Sequence, residues 1–237
     1  MVCWALSLAL FCGACGGGKG KGADESPAYG DGTAWRDEEK PAGDGMVVEG
    51  IHGTIADRDA NAAMETRYIA LQKCFIRRYK QNEYLAGTMR LAFVVRVDGT
   101  VKTVEPVASD VGDRDTEKCV LEVGRKTRFP APQGGEAEFT WSFTIDPLDG
   151  AHTADVLTDV LAADAVTEQR PSLDACDPVS GMVVTAYVDG AGAVVTAGSS
   201  APANTAPEVL DCVALQLRSW VFPALGPPMR KFTLTVQ

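Results

Sequence analysis

Few residues in this chain could do chemistry, and their spacing limits each of them. His52 and His152 are the only histidines, and each stands alone, with no carboxylates or thiols at ligand spacing. Since the chain contains no HExxH, and its one CxxC, Cys12-Gly13-Ala14-Cys15, lies in the apolar opening segment far from either histidine in sequence, surface histidines are expected rather than metal ligands. Asp98 and Asp189 could act as paired carboxylates. Each precedes a glycine between two strand-like runs, however, where Asp has an adequate role as a turn residue. Two basic clusters, Arg77-Arg78-Lys80 and Arg125-Lys126-Arg128, could form an anion-binding face, or could simply complement the C-terminal dipoles of two helices. No G-x-S-x-G, Walker loop or dinucleotide-type glycine pattern occurs. No catalytic residue, metal or cofactor is therefore expected.

The seven cysteines fall into two groups. The apolar opening "MVCWALSLALFCGA", followed by Cys15 and "GGGKGKG", resembles the tail of a bacterial lipoprotein signal. That resemblance implies a signal segment over 1–14, lipidation of Cys15 and loss of Cys3 and Cys12 with the signal. A buried N-terminal helix is the other reading, but fourteen residues before a triple glycine make a poor core element. Residues 15–45 are Gly, Ala, Pro, Lys and acidic residues around Tyr29 and Trp35, and are expected to be a disordered tether. Cys74, Cys119, Cys176 and Cys212 remain, and an even number in an exported protein reads as disulfides. Four reduced, buried thiols would be the alternative in a cytoplasmic protein.

The composition narrows the partners. A formal charge of -10 argues against nucleic acid, because phosphate binding needs a basic face. Hydrophobic content of 46% is ample for a core, and no apolar run approaches the roughly 20 residues of a membrane span.

From residue 46 the elements can be placed by periodicity. Met64, Tyr68, Leu71 and Phe75 form a helical stripe, and Leu91, Phe93, Val95 and Val97 alternate as in a strand. Asp98-Gly99 suits a hairpin turn, and Val101 to Val107 is the returning strand. A second helix begins with Asp113, Asp115 and Glu117 and ends at Phe129-Pro130, before the strand Phe139-Trp141-Phe143-Ile145. The same order then recurs. "TADVLTDVLAADAV" reads as a helix broken at Pro171, and Asp189-Gly190 sits in the turn between two strands. Thr205 and Glu208 fit a capping box. Leu210, Val213, Ala214, Leu217 and Val221 make the next helical stripe, Phe222-Pro223 closes it, and Phe232, Leu234 and Val236 form the last strand. "EKCVLEVGRKTRFPAP" and "LDCVALQLRSWVFPAL" are the second helix of each copy, ninety-three positions apart. The expected architecture is thus α+β: two tandem α-β-β-α-β domains, 46–148 and 149–237, each a three-stranded antiparallel sheet with two helices on one face. One bridge per copy, Cys74–Cys119 and Cys176–Cys212, uses equivalent positions.

The stretches "CFIRRYK", "GTMRLAFVVRVDGTVKTV" and "GDRDTEKCVLEVGRKTRFPAPQGGEAEFTWSF" resemble the AgmX/PglI C-terminal family of myxobacterial envelope proteins, with a TonB C-terminal-like fold. The resemblance implies that fold, a periplasmic or outer-surface setting and, in some relatives, a link to gliding motility. It implies no catalytic residue. The functional expectation is a lipid-anchored interaction module that binds another envelope protein at a strand edge or sheet face. A small-ligand binder or enzyme using a cleft between the copies is the alternative.

Overall fold

Leu91, Phe93 and Val95 alternate along β1 (Gly87–Val95) and all three are buried, because successive strand residues point to opposite faces. The computed structural model describes residues 52–147 and 152–237; the apolar N-terminus, Cys15 and the tether lie outside the described residues. In the first half, β2 (Val101–Ser109) and β3 (Ala137–Ile145) flank β1 in the antiparallel order β2-β1-β3. The helices α1 (Asp57–Glu65), α2 (Tyr68–Tyr79) and α3 (Arg114–Arg125) bring Met64, Leu71, Phe75, Val120 and Leu121 into a core with Leu91, Phe93 and Val104. Thr88, Arg90, Thr140 and Ser142 are exposed on the strands.

The second half is α+β as well, with one more strand. Its elements are β4 (Asp155–Val156), α4 (Asp159–Gln169), α5 (Pro171–Asp174), β5 (Val183–Val188), β6 (Val194–Ser200), α6 (Pro207–Leu217) and β7 (Arg230–Thr235). The sheet order is β4-β7-β5-β6, antiparallel except for β4, which runs parallel to β7. A three-stranded sheet is therefore correct for the first half only. "TADV" is not helical throughout: Asp155 and Val156 pair with Arg230 and Lys231. The first half has a smaller counterpart, a single parallel bridge from Gly53 to Ala137 at the start of β3.

The turns lock to the helix ends in the same way in both halves. Phe129 N donates to Gly99 O at 2.9 Å, and Phe222 N donates to Gly192 O at 2.8 Å. Gly99 and Gly192 have φ of +82° and +92°, and a Cβ on either would strike the carbonyl oxygen of Phe129 or Phe222. Only glycine meets both demands. The equivalence corrects the expected register. Arg96 N donates to Thr100 O and Asp189 N to Ala193 O, so Asp189 occupies the position of Arg96, and the turn glycine is Gly192 rather than Gly190.

Other departures sit at element ends. The stripe Met64-Tyr68-Leu71-Phe75 is divided between α1 and α2, because the chain turns at Thr66–Arg67, where Arg67 N donates to Met64 O. Tyr68 is left 59% exposed. Val97 lies in the turn and Val221 beyond α6, and both are exposed. The capping box is not formed. Pro207 takes the first helical position, which makes Ala206 the N-cap, and Thr205 Oγ1 donates instead to Pro202 O. The structure joins Cys74 to Cys119 and Cys176 to Cys212, each with Cα atoms 5.6 Å apart, ordinary disulfide spacing.

Candidate functional site

In α3, Glu117, Val120, Leu121 and Gly124 recur at the spacing of one helix face, and all four are buried. The apolar members of this stripe pack on β1 and β2, while its N-terminal end meets the second half. The side chain of Glu117 is fully buried. Its Oε2 accepts from Ser199 N of β6 at 3.1 Å, and its Oε1 accepts from Ser109 Oγ at 2.9 Å. Arg114 Nη1 lies 3.4 Å from Oε2. Gly198 makes this approach possible, because a Cβ there would collide with the Glu117 carboxyl. Burial pushes Glu117 up to about 7, against the lowering effects of Arg114, Ser199 N and Ser109.

Further bonds extend this seam. Ser109 N donates to Ser200 Oγ at 2.9 Å. Tyr187, on β5, packs into the first half's core; its hydroxyl donates to Ala86 O at 2.8 Å and accepts from Ala86 N at 3.0 Å. Burial raises this phenol to about 12 and keeps it neutral. Asn82 Nδ2 donates to Thr196 Oγ1 at 3.0 Å, and Lys231 Nζ reaches Ala86 O and Asp110.

A cleft of about 230 Å³ opens beside this seam. Its charged lining comes from both halves, including Arg78, Asp113, Arg114, Lys118, Asp211 and Arg218. The carboxylates are already engaged. Arg78 pairs with Asp113 at 2.9 Å and Asp115 at 3.1 Å, while Arg114 and Lys118 both hold Asp211, at 2.8 and 2.7 Å. For Asp211, burial acts to raise the pKa but is outweighed by the Lys118 and Arg114 bonds, so it stays below the usual carboxylate range. The Asp211 pairs fasten the two halves together, whereas the Arg78 pairs join α2 to α3 within the first.

The residues singled out from sequence occupy separate places. His52 is exposed; His152 packs edge-on to Tyr84, 3.8 Å from Glu83. Among the described residues no His/Cys/Asp/Glu group could hold a metal ion. Asp98 Oδ1 accepts from Thr100 N and Thr100 Oγ1, and Asp189 Oδ1 accepts from Ala191 N and Ala193 N, so both aspartates serve their turns. The basic clusters form no common face: Arg78 engages Asp113 and Asp115, whereas Arg125 and Lys126 engage Glu122. Sequence reasoning assigned Glu117 to a helix start and missed its burial. The signal was present in its spacing with Val120, Leu121 and Gly124, and in its alignment with the apolar Leu210 of the second half.

The sheet edges differ from one another. β2 and β6, the outer strands on one side of each sheet, lie at the seam, where Ala201 N reaches Pro106 O. β3 is the other edge of its sheet. Beyond the bridge at Ala137 it runs Glu138–Ile145 in unbroken register with β1, with exposed Glu138, Thr140, Ser142 and Thr144. It has no proline and no bulge, and no charge after Glu138. β7 is shorter and is flanked by β4 along Arg230–Lys231. No helix among the described residues is long and apolar enough to cross a membrane. No family model, curated protein or solved structure matches this chain.

Proposed function

We propose that this protein is a non-catalytic interaction module of the cell envelope, held to a membrane by lipid on Cys15, and that β3 receives a strand of a partner protein. The observation that carries this reading is the state of β3: from Phe139 to Ile145 its edge has none of the charges, prolines or bulges that keep sheet edges from pairing. Strand addition needs only such an edge, because backbone hydrogen bonds supply the affinity and alternate side chains the specificity. The half-buried row Phe139-Trp141-Phe143-Ile145 offers the incoming strand apolar neighbours on one face. The resemblance to AgmX/PglI C-terminal and TonB C-terminal-like domains favours an envelope assembly, of gliding motility or transport, as the setting.

The cleft between the halves favours a second reading, a small charged ligand, because Arg114, Lys118 and Arg218 converge there. The pairing of its carboxylates with its cations makes this the weaker case.

Thr140→Lys with Ser142→Lys places two charges on the exposed side of the edge. Affinity capture from envelope membranes should lose the partner, while the melting temperature changes little, since exposed substitutions stay within about 0.5 kcal/mol. Undiminished capture would refute β3 as the docking edge.

A further inference from the structure

We propose that the seam between the halves is a proton-operated latch in which Glu117 takes up the proton, tight when this side chain is neutral and looser when it is charged. The geometry places a carboxyl group with no solvent contact where two sheets meet. One oxygen holds a backbone N–H of the opposite half, and the other meets the hydroxyl of Ser109, which can donate or accept. A neutral carboxyl therefore keeps its contacts by donating to Ser109 Oγ while still accepting from Ser199 N. A charged one must be held in the same water-free space against its desolvation penalty.

The surrounding charges do not remove that penalty. From α3 itself, Arg114 faces Glu117 but shares its guanidinium with Asp211 of α6, and Lys118 is directed to the same Asp211. Asp113, one turn earlier, caps Thr116 N and is held by Arg78 of α2. The residues supplied by β2 and β6 are Ser109, Gly198, Ser199 and Ser200, none of which titrates in this range. In keeping with this geometry, burial raises the carboxyl from 4.5 to about 7.

The sign follows from proton binding. Between about pH 4.5 and pH 7 the folded protein keeps a proton that the unfolded chain has released. Stability from this group is therefore full below pH 4.5, falls as pH rises and is lost above 7. The test is amide exchange of the full chain from pH 4.5 to 8.5, corrected for intrinsic rate, comparing Ser199 with Ala186 in β5. Protection at Ser199 should fall at least about tenfold as pH rises, against a ceiling of tenfold per pKa unit, and more than at Ala186. Glu117→Gln, an uncharged isostere, should abolish that fall and keep the seam protected at pH 8. Identical pH profiles in the two proteins would overturn the latch. So would a carbon-13 titration of wild-type Glu117 below pH 5, a readout that does not depend on whether the variant folds.

Discussion

The two halves share a scaffold and differ at their junction. Both close the strand–turn–strand unit onto the residue after the second helix, through Gly99 with Phe129 and Gly192 with Phe222. Both tie the first helical region to the second helix by a disulfide with the same Cα spacing. The cysteines are 45 residues apart in the first half and 36 in the second, a difference of nine. The extra residues fall between Cys74 and Arg90, over the end of α2, the connection and the start of β1, and this stretch carries Asn82 and Ala86 to Thr196, Tyr187 and Lys231. At the position where α6 has Leu210 in its own core, α3 has Glu117 facing the other half. The first half supplies the reach and the charge. The second offers small residues, Thr196, Gly198, Ser199 and Ser200, that let them approach. Local closure is common to both halves, and the specialised chemistry lies in what joins them.

Exchanging the residues at the equivalent positions should have the largest and most unequal effects. Leu210→Glu places a carboxyl in the apolar core with Val213, Leu217 and Phe232, and should cost more than about 4 kcal/mol in chemical denaturation. Glu117→Leu removes an acceptor from Ser199 N and Ser109 Oγ but also a desolvated carboxyl, and Arg114 keeps Asp211. Its cost should be smaller, about 1–3 kcal/mol. Equal losses would mean that the two positions are not environments of opposite kind.

Removing the disulfides sharpens the likeness instead. Loop-closure entropy rises only with the logarithm of loop length, so separations of 45 and 36 predict nearly equal effects. Cys74→Ala/Cys119→Ala and Cys176→Ala/Cys212→Ala should each lose about 2–4 kcal/mol, and within about 1 kcal/mol of each other. A loss confined to one pair would show that the halves depend on their bridges differently.

Much of this comparison was legible in the chain itself. The duplicated "CV…FPA" stretches align the second helices, the strands follow from period-two alternation, and the cysteines fall at matching places. The misses have local causes. No proline marks the break at Thr66–Arg67, although Pro171 marks its counterpart in the second half. Two residues of β4 are too few for any period to show. Pro207 displaces the N-cap by one residue and silences the capping box. The Asp-Gly pairs match in letters but are offset by two positions in hydrogen-bond register, which no pattern of residue types reveals. Glu117 was hidden for a different reason: an acidic residue in a first helical turn already has a sufficient explanation in the helix dipole. Only the second half, folded beside it, makes it a buried group.

The central claim is that the first half, through α3 and the α2–β1 connection, fastens the second into one cooperative unit. Native-state amide exchange of the full chain at pH 5 tests it most directly, because it reports opening free energies residue by residue. Ser199 N, bonded to Glu117 across the seam, should exchange only with global unfolding, as slowly as Phe93 in β1 and Ala186 in β5. Exchange at Ser199 through a low-energy opening, while Phe93 and Ala186 stay protected, would contradict the account.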